Sequence, residues 1–234
     1  MSKDVYCGID LGTTYTSVGV YEGGNVRCLT DEFNSSCIPS LVSFTENDCK
    51  VGRPPFSCTC VIQEIKRFLG KDWEDLKSDK GLKSLLDKNQ NDYIDIEGKI
   101  GIGIERPTNS DEIRTLYLTP EDVSAIILLK IKQIVLSKYP GKNIKAIVGV
   151  PASFGDKEKA ATQAAVKMAG IELIRTVNEP TAAARAYKMK EGTLFVFDFG
   201  GGTLDISIVT FKNGSLSKTV TSKGDPFLGG NDMI

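Results

Sequence analysis

Two stretches of this chain mirror one another: VYCGIDLGTTYTSVGVY at residues 5–21 and LFVFDFGGGTLDISIVTF at residues 194–211. Each opens as an apolar run, passes through Asp-x-Gly and a cluster of small residues, and resumes as a second alternating run. Asp10 and Asp198 hold the same place in the two copies, as do Gly12 and Gly200. A lone Asp-x-Gly after a strand reads as a hairpin turn. Its recurrence at equivalent spots of a duplicated pattern points to a shared task. A Gly/Thr-rich turn lets several backbone amides approach one ligand, which suits phosphate oxygens. An Asp at the strand end places a carboxylate where hydrated Mg²⁺ would bridge phosphate and protein. Two such hairpins facing each other would grip a polyphosphate from both sides.

The other phosphate-binding patterns are missing. Gly70-Lys71 continues into Asp72 and Gly141-Lys142 into Asn143, so neither is a P-loop, and Gly101-Ile-Gly103 runs into Ile-Glu-Arg. The 234 residues include no histidine, which excludes Ser-His-Asp catalysis, HExxH zinc sites and every His-ligated metal. Twenty-nine basic residues against 30 acidic ones give a net charge of -1, so no cationic field would draw in nucleic acid or an anionic membrane. A 41% hydrophobic and 25% charged composition is that of a globular chain, long enough to bury a core without disulfides. The six cysteines, Cys7, Cys28, Cys37, Cys49, Cys58 and Cys60, offer one C-x-C and no C-x-x-C. With no signal-peptide core and no membrane-length apolar run, they read as reduced thiols of a cytoplasmic protein.

The rest of the chain reads as α/β. Residues 5–44 are expected to be β, and 61–69 place Val61, Ile62, Ile65, Phe68 and Leu69 on one helical face. Lys71 to Asp111 is polar and Gly- and Asn-containing, and is expected to be a loosely built subdomain. Thr119-Pro120-Glu121-Asp122 starts a helix whose apolar stripe runs from Val123 to Val135. A strand at 146–150, a helix from Asp156 stopped by Gly170, a strand at 171–177 and a helix at 181–187 follow. A β-meander closes the chain, with Asn213-Gly214 at its second bend. Phe195, Phe197, Ile206, Ile208 and Val209 are expected to leave an apolar face of this meander open.

GIDLGTTY (8–15), IKRFLG (65–70), VGVPASF (148–154), VNEPTAAARAY (177–187), DFGGGTLDISIV (198–209) and LGGND (228–232) together resemble the ATPase domain of the 70-kDa heat-shock chaperones. The resemblance implies an actin-like (ribonuclease H-like) fold. Residues 1–188 would form the first lobe, with an inserted subdomain at about 39–115, and 189–234 the opening meander of the second. It implies an ATP- or ADP-binding, Mg²⁺-dependent hydrolase coupled to protein folding and the stress response. Gly12, Thr13, Thr14 and Tyr15 would form one phosphate loop, and Gly200, Gly201, Gly202 and Thr203 the other. Gly229 and Gly230 would add a third backbone contact. Asp10, Asp198 and Asp205 would hold Mg²⁺, largely through its waters. The catalytic set would be Lys66, Glu179, Asp198 and Thr203, with Lys66 orienting the attacking water. J-domain proteins, nucleotide-exchange factors and unfolded clients are the implied partners, and nucleic acid and membrane are not.

The sequence departs from that family at Lys159, where an arginine would partner Pro151, and at Ser153 and Phe227. In the family the second lobe extends past the position of Ile234, so this stretch alone is expected to hydrolyse ATP slowly or not at all. The alternative is a non-catalytic actin-like module that binds co-chaperones, with a sugar kinase a distant third.

Overall fold

The computed structural model describes residues 3–45, 48–88, 91–107 and 113–233. The chain opens with β1 (Asp4–Leu11), β2 (Tyr15–Glu22) and β3 (Asn25–Cys28), joined as antiparallel neighbours. The β2–β3 turn carries Gly23 and Gly24 at positive φ, the conformation a two-residue hairpin with the strands' own twist requires. Short strands β4 (Ile38–Pro39), β5 (Val42–Phe44), β6 (Cys49–Val51) and β7 (Cys60–Ile62) follow, the last three forming a small sheet of their own centred on β5.

Next come helices α1 (Trp73–Ser78) and α2 (Lys80–Lys88) and a meander of β8 (Asp92–Ile96), β9 (Lys99–Pro107) and β10 (Ile113–Leu118). Helix α3 (Pro120–Lys138), strand β11 (Asn143–Val150), helix α4 (Asp156–Met168), strand β12 (Glu172–Asn178) and helix α5 (Glu179–Ala186) complete the larger part. The last meander is β13 (Gly192–Phe199), β14 (Leu204–Lys212) and β15 (Ser215–Asp225).

The main sheet runs β12-β11-β1-β2-β3, with β4 on β2. β1, β11 and β12 are parallel, so β1 ends up central. Alternation does the rest. Val5, Cys7, Ile9 and Leu11 of β1 and Ile144, Ala146, Val148 and Val150 of β11 are buried on one face. Helices α3 and α4 cover that core with Val123, Ile127, Leu128, Ile131, Ala165 and Val166. Asp10 therefore points to the opposite face, which carries Tyr6 and Gly8. Helix α3 begins as its sequence predicts: Thr119 Oγ1 accepts from the Asp122 amide at 3.2 Å and Asp122 Oδ2 accepts from the Thr119 amide at 2.8 Å. Gly170, at φ 63°, follows the end of α4, as the C′ position demands.

Three expectations need correction, the third in the last meander. Residues 61–69 are not one helix: strand β7 ends at Ile62 and a four-residue 3₁₀ turn spans Ile65–Phe68. Glu64, at φ 56°, breaks the helical path between them, and the apolar residues reach the core from two short elements instead of one face. Lys71–Asp111 is regular where described, with residues 89, 90 and 108–111 outside the described ones. Ile100, Ile102 and Ile104 of β9 are fully buried, as are Leu76 of α1 and Leu82 of α2.

The last meander buries one face against α5, through Ala184, Val209 and Phe211. Val209 thus belongs to the packed face, because it alternates with Ile206 and Ile208. Phe195 and Phe197 stand on the other face, 64% and 58% exposed. Asn213 and Gly214 both have positive φ, as the second bend predicts. Among the described residues no helix is long and apolar enough to cross a membrane.

Candidate active site

The two copies of the sequence repeat fold alike. In the first, Asp10 pairs with Ser17 across β1–β2; in the second, Asp198 pairs with Asp205 across β13–β14. Both spacings are seven residues, so Asp205 is the positional counterpart of Ser17. The intervening turns bring each glycine against the carbonyl three residues on: a Cβ on Gly12 would strike the Tyr15 carbonyl, and the Gly200 amide donates to the Thr203 carbonyl at 2.9 Å. The turns also meet. A Cβ on Gly201 would overlap Thr14 Oγ1, so glycine at 201 is what lets the two loops touch.

Around this contact lies a cleft of about 920 Å³. Asp10, Gly12, Thr13, Thr14, Tyr15, Lys66, Glu179, Asp198, Gly200, Gly201 and Thr203 line it. The remaining residues singled out in the sequence stand just behind. Gly202 is buried against Thr13 and Arg67, and Asp205 is 1% exposed beneath Asp198. The Gly229 amide donates to Asp232 Oδ2 at 2.8 Å and the Gly230 amide to the Gly200 carbonyl at 2.9 Å, so this turn braces the second loop. Gly149, which the sequence did not mark, lets the Glu179 side chain lie over the end of β11.

Lys66 is the cation of the cleft. Its Nζ donates to Glu179 Oε1 at 2.8 Å and lies 5.9 Å from the centroid of the Phe154 ring. Opposite it, acids crowd together. Burial pushes the Asp205 carboxyl up, and Glu179 and Asp198 push it further. Asp198 is raised by burial and by Glu179. Asp10 is open to the cleft, yet its walls thin the surrounding water enough to raise it, with Glu179 and Asp198 adding to the effect. Like charges facing each other across a ladder, as Asp198 and Asp205 do, oppose folding.

That crowding has a signed consequence. A raised carboxyl stabilises the fold fully below its ordinary value of 3.8 and loses the contribution as pH rises through the raised value. Without metal, Asp10→Asn should therefore gain thermal stability relative to wild type as pH climbs from about 4 to 7. Melting curves across that range check it, and parallel curves for the two proteins would refute it.

The same features bear on a divalent cation. Among the described residues, buried Asp205 Oδ1 has no hydrogen-bond partner, and Asp10, Asp198 and Asp205 share Lys66 as a basic neighbour. Among the described residues no three acidic or cysteine side chains form a ready-made metal shell. Asp10 and Asp198, which line the cleft, could hold an ion that keeps most of its waters, the habit of Mg²⁺.

The Hsp70 protein family profile matches residues 6–233. The chain belongs to the Hsp70 family. It is 34% identical over 251 residues to a heat shock protein of Pyricularia oryzae, covering all of this chain and 39% of that protein. It is 37% identical over 245 residues to a heat shock cognate HSP70 protein of Trypanosoma brucei brucei, covering all of this chain and 35% of that relative. The chain thus spans little more than a third of the relatives' length. Membership in the Hsp70 family implies the actin-like ATPase fold for the mixed α/β architecture above, and an ATP-binding role.

Proposed function

We propose that the cleft binds Mg²⁺ with ATP or ADP and is the ATP-hydrolysing site of an Hsp70-type chaperone. The observation that carries this reading is the contact between two equivalent glycine loops at Gly201 and Thr14, each hairpin carrying an aspartate at its root. Residues 1–188 form the first lobe, with the subdomain at about 39–115 inserted into it, and 189–234 open the second. Gly12–Tyr15 and Gly200–Thr203 donate amides and hydroxyls to the phosphates, with Gly229 and Gly230 supporting the second loop. Asp10, Asp198 and Asp205 hold the hydrated Mg²⁺, which when bound neutralises phosphate charge.

Lys66 sets the attacking water and faces the γ-phosphate, while Glu179 fixes the Lys66 ammonium and Thr203 steadies the transferred group. Chemistry of this kind rests on positioning and electrostatics. Family membership supports this reading over that of a non-catalytic interaction module. J-domain proteins, nucleotide-exchange factors and unfolded polypeptides would be the partners, in the cytoplasm.

If the loops carry recognition, the β-phosphate matters more than the base. Calorimetric titration should show Mg-ADP binding at least about tenfold tighter than AMP, a difference of about 1.4 kcal/mol. Chelating the metal should weaken ADP alone. Equal affinities for ADP and AMP would overturn the proposal.

A further inference from the structure

We propose that Glu64, Arg67, Asn231 and Asp232 form a latch that clamps the two glycine loops together, so that nucleotide leaves only after Asp232 parts from Arg67. The inference rests on the nucleotide reading above and adds the group that governs release. Arg67 is a cation sealed inside the protein, its side chain 1% exposed. Its Nη2 donates to Asp232 Oδ2 at 2.7 Å, and its Nε lies 3.1 Å from Glu64 Oε2. Among the described residues Nε and Nη1 have no aligned hydrogen-bond acceptor, so the Asp232 bond, beside the Glu64 ion pair, fixes the guanidinium.

Asp232 is tied to the second loop at each step. The same Oδ2 accepts from the Gly229 amide, the Gly230 amide donates to the Gly200 carbonyl, and the Asn231 amide donates to the Gly201 carbonyl at 2.8 Å. Asn231 then crosses to the other side. Its Nδ2 donates to Glu64 Oε1 at 2.6 Å and to Thr14 Oγ1 at 3.2 Å. Glu64 reaches this position from a left-handed backbone, φ 56°, which a non-glycine residue adopts at a penalty. The strained residue is thus the one that faces both Arg67 and Asn231.

The geometry couples the loops. Gly202 rests on Arg67 and Thr13, since a Cβ there would lie 2.8 Å from Arg67 Nε. Pulling the second loop away would strip a buried arginine of its aligned carboxylate, which is unfavourable until water reaches it. None of the four residues lines the cleft, so they act through Thr14, Gly201 and Gly202 as positioning residues.

Asp232→Asn keeps the shape and removes the charge, while Asp232→Glu keeps the charge. Release of a fluorescent ADP analogue with Mg²⁺, followed by stopped flow, should be about tenfold faster in Asp232→Asn, the effect of one lost charge-assisted hydrogen bond. Association should stay within about threefold of wild type, and Asp232→Glu should restore slow release. In the nucleotide-free protein, amide exchange at Gly230 and Asn231 should quicken by a similar factor in Asp232→Asn. Glu64→Gln, a milder change, should shift both readouts the same way. Wild-type release and wild-type exchange in Asp232→Asn and Glu64→Gln would overturn the latch. If wild type itself binds no nucleotide, the nucleotide reading fails, and amide exchange alone judges the coupling of the loops.

Discussion

Gly201→Val should abolish Mg-nucleotide binding, with an affinity loss of at least about a hundredfold, or some 2.7 kcal/mol. The position has no slack. A Cβ would overlap Thr14 Oγ1 and come within 2.8 Å of Thr14 Cβ. Thr14 cannot swing aside freely, because its hydroxyl accepts from Asn231, whose own amide is bonded to the Gly201 carbonyl. Gly229 sits against that carbonyl from behind. The valine must therefore push the loops apart, and donors set for one phosphate chain cannot all reach it from separated positions. Gly103→Ala, on β9 and away from the cleft, is the control, since a Cβ there meets only ordinary contacts, the nearest 3.4 Å away at Asp92 Cβ. Titration with Mg-ADP decides the matter. An affinity for Gly201→Val within about threefold of wild type would mean that the loops do not bind phosphate together.

Lys66→Ala should slow single-turnover ATP hydrolysis by about 10²–10³, the usual effect of removing one charge-stabilising donor from an enclosed site. It should also destabilise the fold. Lys66 and Glu179 are only 7% and 17% exposed, so the substitution leaves a carboxylate enclosed beside Asp10, Asp198 and Asp205 with its cation gone. Breaking such a pair costs about 3–5 kcal/mol. The two effects separate in Lys66→Met/Glu179→Gln, which removes both charges. That double variant should recover much of the melting temperature and none of the hydrolysis. Hydrolysis by Lys66→Ala within about threefold of wild type, measured with protein in excess over ATP, would remove Lys66 from the reaction.

How much of this is legible in the sequence depends on the range of the interactions involved. The duplicated hairpins are visible because strand alternation and Asp-x-Gly are local patterns, and the structure gives Asp10 and Asp198 the matching registers they suggest. The start of α3 is visible for the same reason, since Thr119 and Asp122 satisfy each other within one turn. Residues 61–69 mislead because a strand followed by a 3₁₀ turn produces the same run of buried side chains as a helix face. Only the backbone of Glu64 tells them apart. The order within 92–104 is masked by Gly98, Gly101 and Gly103, which read as loop although the latter two alternate with three buried isoleucines. Arg67, Asn231 and Asp232 lie within sight in IKRFLG and LGGND. Their pairing spans 165 residues between Arg67 and Asp232, and no local pattern announces a partner so distant.

The central place of β1 has a temporal side. Asp4 pairs in register with Asn143, 139 residues downstream. At a synthesis rate of about 5–20 residues per second, β1 waits roughly 7–28 s for this parallel neighbour to be made. During that interval β1 has β2 on one edge and an unpaired row of amides and carbonyls on the other. The nascent hairpin therefore spends seconds as a sticky ribbon, and the cleft lacks its second wall until the loop at Gly200–Thr203 has been made. A member of a chaperone family thus passes, during synthesis, through the kind of exposed strand that chaperones exist to shield.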